Sequence, residues 1–172
     1  MTTEIKESTG GRIRVLAGKY FTFNLGTESY CIDVLRVREI IRVTTITAVP
    51  QMPRYILGVI NLRGKIIPVM DLRLRFEFAE AAHTEQTCIV VVQVTLPDGK
   101  VTPMGLVVDG VEEVVHIGEG DLEEAPEFGG KVCANYIVGI AKIKGAVKAL
   151  LDIDRVIGES TTSLLHSATP AN

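Results

Sequence analysis

The stretch YILGVINLRGKIIPVMDL, Tyr55 to Leu72, returns in altered form about eighty residues later as YIVGIAKIKGAVKALLDI, Tyr136 to Ile153. Tyr55 aligns with Tyr136, Gly58 with Gly139, Gly64 with Gly145 and Asp71 with Asp152. Most other pairs keep size and polarity, as Val59 does with Ile140 and Val69 with Leu150. Self-similarity at a fixed separation marks a duplicated unit, so the fold must contain this element twice. The copies differ around the central glycine, where the first carries Asn61, Arg63 and Lys65 and the second Lys142, Lys144 and Ala146. Only the first presents a guanidinium fork.

The unit reads as strand, tight turn, strand and helix start. Val59 to Leu62 and Ile66 to Val69 are short apolar runs, and Gly64 supplies the positive φ that a narrow hairpin needs. Asp71 and Asp152 stand where an N-cap belongs, ahead of LRLRF and IDRVI, each a turn or two of helix. Gly58, Gly64, Gly139 and Gly145 are assigned to turn chemistry. Function is expected on the side chains that differ between the copies, not on the shared frame.

Upstream, Lys19 to Leu25 alternates in polarity, Gly26 to Ser29 is a turn cluster, and Tyr30 to Val34 resumes a strand, giving a hairpin. Val37, Glu39 and Ile41 then share one face of a strand that carries apolar residues on both sides, which invites a bulge. Thr44 to Pro53, with two prolines, is an extended connection, and Phe76 to Gln86 a surface loop or helix end. Thr87 to Leu96 reads as a central strand, turned by Pro97-Asp98-Gly99-Lys100 into Val101 to Val108 and on through Val115. Here the first half is echoed again, Val37-Arg38-Glu39-Ile40 by Val111-Glu112-Glu113-Val114. Ile117 to Asn135 is an acidic loop. About ten short strands in two similar halves predict an all-β fold of two small antiparallel barrels, approximately 15–80 and 81–158, that share a core and exchange a terminal strand. Residues 1–14 and 159–172 are expected to be flexible tails.

Several function classes are disfavoured. A net charge of −3, a low aromatic content of 5% and no Trp argue against a nucleic-acid surface. No apolar run is long enough to cross a bilayer, and the polar N-terminus with no leader-like segment predicts a cytoplasmic protein with reduced thiols. Cys31, Cys88 and Cys133 have no metal-like spacing, and Cys88 is expected to be a small buried hydrophobe. His83, His116 and His166 are placed in loops or tail without a catalytic signature. The run Gly58 to Ile66 fails as a phosphate loop, because its spacer is too long and Ile66 stands where a hydroxyl is required. Neither a catalytic residue, a metal site nor a cofactor is expected. A small ligand-binding or nucleic-acid-binding barrel is the alternative from a different class.

Taken in order, YFTFNLGTESYCIDVLRVREII, YILGVINLRGKIIPVMDLRLRF, VTPMGLVVDGVEEVV and YIVGIAKIKG resemble the CheW family of coupling proteins in bacterial chemotaxis, from about Val15 to Gly158. The resemblance implies two five-stranded SH3-like barrels on a common hydrophobic core, with a few short helices. It also implies an adaptor that bridges the cytoplasmic tip of methyl-accepting receptors to the regulatory domain of the chemotaxis histidine kinase, recruited to membrane-associated arrays. The free-standing adaptor matches better than the kinase's own regulatory domain, and a non-motility pathway can use the same module. By motif match, the receptor groove is implied to be lined by Arg63, Glu39, Val37 and Val114. Lys65 adds a second cation beside them. An apolar trough with a few orienting charges is what helix recognition requires, although a hairpin-tip arginine is by itself an ordinary solvated side chain.

Overall fold

The computed structural model describes residues 17–78, 82–124, 136–158 and 161. The tails expected over 1–14 and 159–172 lie outside these residues save for Thr161, as do Cys133, His166 and most of the loop after Glu124. Among the described residues there are eleven strands: β1 Gly18–Leu25, β2 Glu28–Asp33, β3 Val37–Arg42, β4 Ile56–Leu62, β5 Lys65–Asp71, β6 Cys88–Thr95, β7 Val101–Val108, β8 Gly110–Ile117, β9 Leu122–Glu123, β10 Ile137–Ile143 and β11 Ala146–Leu151. Helix α1, Leu72–Arg75, follows β5 and helix α2, Ile153–Ile157, follows β11. Short 3-10 turns occupy Val34–Arg36 and Glu119–Asp121.

The strands form two sheets. One runs β8-β1-β2-β11-β10-β9, the other β3-β6-β7-β5-β4. Each sheet therefore draws a hairpin from one half of the chain and its other strands from the other half. Hairpin β1–β2 lies beside β8 and β11, whereas β3, β4 and β5 join β6 and β7. What crosses over is a whole hairpin from each half rather than one terminal strand, and sheet membership does not follow a cut near residue 80. All ladders are antiparallel except one in each sheet, where the second strand of the exchanged hairpin meets its host. There β2 runs parallel to β11, with Cys31 opposite Leu150, and β7 runs parallel to β5, with Gly105 opposite Val69. The two parallel seams occupy equivalent places in the duplicated halves.

Strand periodicity explains the burial. Along β1, Phe21, Phe23 and Leu25 point into a large core that also takes Ile32, Met70, Leu72, Val90, Val92, Met104, Leu106, Val156 and Ile157. Because these residues come from both sheets and both helices, the core belongs to neither half alone. Full burial of each such side chain contributes about 1.5–3 kcal/mol. Two smaller clusters lie one on each sheet: Ile60, Ile67, Val69, Ile89, Val91 and Val107 in one, Cys31, Ile117, Ala141 and Leu150 in the other. Thr22 is fully buried at a bulge in the β1–β8 ladder, where its hydroxyl donates to the Glu113 carbonyl at 2.6 Å and accepts the Glu113 N–H at 3.0 Å. The side chain thus replaces the ladder bonds that the bulge removes.

Some expectations are corrected. Gly58 and Gly139 are not turn residues; they sit inside β4 and β10, each at a shift of register with the next strand. At Gly58 the reason is steric. Its φ is 144°, and a Cβ there would stand 2.0 Å from the Thr47 carbonyl oxygen, because the connection before β4 lies against it. Thr47 and Val59 exchange both backbone hydrogen bonds at 2.8 Å, which fixes that approach. His116 lies within β8, not in a loop. Cys88 is only half-buried and donates to the Gln86 carbonyl, whereas Cys31 is fully buried.

Candidate partner-docking site

Arg63 and Gly64 form the two-residue turn between β4 and β5, with φ of 52° and 86°. Positive φ at both positions defines a type I′ turn, whose twist matches that of a hairpin. Gly64 adopts this region freely, whereas Arg63 must tolerate a conformation that is uncommon for a side chain with a Cβ. Asn61 supports the turn by accepting the Gly64 N–H at 2.8 Å.

The Arg63 guanidinium reaches Glu39 on β3. Nη1 donates to Oε1 at 3.2 Å and Nη2 donates to Oε2, a two-pronged contact that fixes the orientation of the guanidinium plane. The side chain of Arg63 nevertheless remains 71% exposed, against 31% for Glu39. The Glu39 hydrogen bond, then its charge, raises the arginine pKa further above its usual value. Beside the pair lies an open concavity of about 400 Å³. Leu62, Ile67, Val91, Val101 and Pro103 give it apolar walls, with Arg38, Lys65 and Gln93 supplying polar groups. Arg38, Arg63 and Lys65 against Glu39 leave this rim cationic on a chain that is acidic overall.

The four residues implied for receptor contact are not equally placed. Glu39 and Arg63 touch. Val37 shares their sheet and the half-buried face of β3, but packs against the shared core, and the β3–β6 register shifts between it and Glu39. Val114 lies on the other sheet, on β8 opposite Phe21, with half of its surface exposed. Arg38, Gln93 and Pro103 were not singled out from the sequence. The bulge at β3 was the available signal for Arg38, since an extra residue in a strand re-aims the side chains around it.

Two groups away from this corner, Cys31 and Tyr20, are poorly suited to nucleophilic chemistry. Burial pushes the Cys31 thiol up to about 12, opposed by Lys148 and reinforced by Glu112, and Tyr20 also rises to about 12 through burial and the neighbouring Asp33. Both stay protonated at neutral pH. Among the described residues, no group of three or more His, Cys, Asp or Glu is placed to hold a metal ion, and no helix is long and apolar enough to cross a membrane.

Residues 19–161 match the family model of the CheW-like domain. Chemotaxis protein CheW of Klebsiella aerogenes is 31% identical over 154 residues, covering 90% of both chains. That of Bacillus subtilis is 32% identical over 170 residues, covering 99% of this chain and 98% of its own. The chain belongs to the CheW-like family. A crystal structure of the scaffolding protein CheW from Thermoanaerobacter tengcongensis superposes with a TM-score of 0.74 at 32% identity, over 84% of this chain and 95% of that one. Protein FrzA of Myxococcus xanthus is 30% identical, covering 77% of this chain and 79% of its own. Membership makes the chain a chemotaxis scaffold and not an enzyme. In this CheW-like chain the exposed, clamped arginine stands on the first copy of the duplicated hairpin only.

Proposed function

We propose that the protein couples chemoreceptors to the chemotaxis histidine kinase, and that the Glu39–Arg63 corner of β3 and the β4–β5 turn is its receptor-facing side. The observation that carries this reading is the combination of exposure and fixed geometry at Arg63. A solvated surface arginine samples many rotamers, whereas this one is held at both prongs while its outer face stays open to a partner. The adjacent apolar concavity offers burial, and the charges beside it offer orientation and register. Val37 and Val114 extend the same role to an aliphatic contact on each sheet. The kinase's regulatory domain, a homologue of this fold in the family resemblance, engages other surfaces.

The test is titration of a soluble receptor-tip fragment. Arg63→Glu is expected to weaken binding at least about tenfold through like-charge contact with Glu39 and loss of the fork, while the thermal midpoint stays close to that of the wild type. Equal affinity of the two proteins would remove the corner from the receptor site. Co-sedimentation with receptor-bearing membranes and kinase, separately and then together, tests the bridging role itself.

A further inference from the structure

Arg75, the last residue of α1, sits between the two halves of the repeat. Its guanidinium carbon lies 4.6 Å from the ring centre of Tyr55 and 5.1 Å from that of Tyr136, both within range of cation–π attraction. The two tyrosines are counterparts, placed just before β4 and β10. Their carbonyls accept equivalent N–H groups, that of Asp71 at 2.8 Å and that of Asp152 at 3.0 Å. The same guanidinium donates from Nε to the Val156 carbonyl at 2.6 Å and from Nη2 to the Ile157 carbonyl at 3.4 Å. These close α2, where carbonyls lack partners within the helix. One side chain therefore joins the two helices and the entry to one strand of each sheet. The alignment that matches Asp71 with Asp152 matches Arg75 with Val156. Contact between these counterparts puts both on the seam where the halves meet. They are used differently: Val156 is fully buried in the shared core, and Arg75 carries its charge across the seam.

We infer that Arg75 is a positioning residue that sets the relative orientation of the two sheets. The shared core holds the sheets together, but apolar burial is non-directional and does not by itself fix an angle. The parallel seams act within each sheet, β2 on β11 in one and β5 on β7 in the other. Two ion pairs tie each helix to the opposite sheet at one point, Arg73 to Asp109 just before β8 and Asp154 to Arg36 just before β3. Arg75 adds directional contacts between these points, because a planar guanidinium stacked on rings and forked onto carbonyls has one favoured orientation. The functional consequence rests on the receptor reading above. Val37, Glu39 and Arg63 belong to one sheet and its turn, and Val114 to the other, so a rigid partner touching all four needs a fixed angle between the sheets.

Amide residual dipolar couplings of the full chain, fitted separately for each sheet, test the inference. Arg75→Met keeps a long side chain without charge or donors, and Arg75→Lys keeps the charge without the fork. Wild type is expected to give one alignment frame for both sheets. Arg75→Met is expected to give two, with the couplings inside each sheet still fitting its own strands, and Arg75→Lys a smaller divergence. A common frame in Arg75→Met overturns the inference, however far its urea midpoint falls. If Arg75→Met does not fold, Arg75→Lys decides by the same criterion. If neither variant folds, or couplings inside a sheet no longer fit its strands in either, Arg75 supports the local fold and the inference is overturned. In a parallel titration with the receptor-tip fragment, Arg75→Met is expected to bind at least about fivefold more weakly although Glu39 and Arg63 are intact. Two frames with wild-type affinity uphold the role of Arg75 and instead remove Val114 from the receptor contact.

Discussion

The hairpins β4–β5 and β10–β11 share a backbone and differ in what they display. Each has a bulge at its glycine, Gly58 or Gly139, and each turns through a cationic residue at positive φ followed by glycine, 52° and 86° in one and 51° and 81° in the other. Each leaves a β-branched side chain exposed just past the turn, Ile66 or Val147. The first hairpin places its arginine against Glu39. In the second, Lys144 occupies the arginine position, and it is Lys142, two residues earlier, that pairs with Glu123 on β9. Lysine is a point charge on a flexible stem and cannot form the planar fork. Both copies keep what the backbone needs, and the clamped guanidinium is found on the first copy alone among the described residues.

The largest expected effect lies in the shared frame. Gly58→Ala would drive a Cβ into the Thr47 carbonyl, at a φ that L-residues rarely adopt. It should destabilise the fold by about 3 kcal/mol or more, read as a fall in the urea midpoint. A loss below about 1 kcal/mol would mean that the 44–53 connection can lift away from β4, and that the close approach is not obligatory.

The next effect sets the hairpins apart. If recognition depends on the clamped fork, Arg63→Lys should lose most of the receptor affinity that Arg63→Glu loses, at least about fivefold, while Lys144→Glu should change it less than about twofold. Comparable losses from Lys144→Glu and Arg63→Glu in the same titration would show that summed positive charge, not the Glu39 corner, does the recognising.

How far the sequence announced these features follows from their physics. The repeat was legible because glycine, aspartate and alternating apolar residues report backbone conformation and face directly. The caps at Asp71 and Asp152, the turn at Gly64 and the strands around them depend on neighbours along the chain. The crossing of β1–β2 and β6–β7 was less legible, since period-two alternation says which face is buried but not which strand lies alongside. Gly58 was misassigned for a related reason: the residue that forbids its side chain, Thr47, is remote from the turn pattern used to read it. Cys31 and Cys88 sit in similarly apolar runs, and only the packing of Leu150, Ile117 and Ala141 around the former distinguishes them. Glu39 and Arg63 were assigned to one site by the family resemblance, and their contact was seen in the structure, because nothing local to either residue points to the other.

The smallest expected effect concerns the two helix caps, which differ although their sequences match. Asp71 Oδ1 accepts the Arg73 N–H at 2.9 Å and the Leu74 N–H at 3.4 Å, whereas Asp152 Oδ1 accepts the Arg155 N–H at 3.2 Å. Asp71→Ala should cost about 1 kcal/mol and Asp152→Ala somewhat less. Burial raises the Asp71 pKa above the ordinary carboxylate value, against the opposing effect of the two N–H groups. The folded chain then holds this proton more tightly than the unfolded chain does. Its contribution to stability is fully present below the unfolded pKa, about 4, and is lost as pH rises through the higher folded value. Asp71→Asn keeps an acceptor for both N–H groups but cannot ionise. Relative to wild type it should therefore gain stability, by less than about 1 kcal/mol, as pH increases from 3 to 7. Urea midpoints at the two ends of that range decide the matter: a difference that is constant, or that moves in favour of aspartate with rising pH, would mean that the N–H groups outweigh burial at this cap.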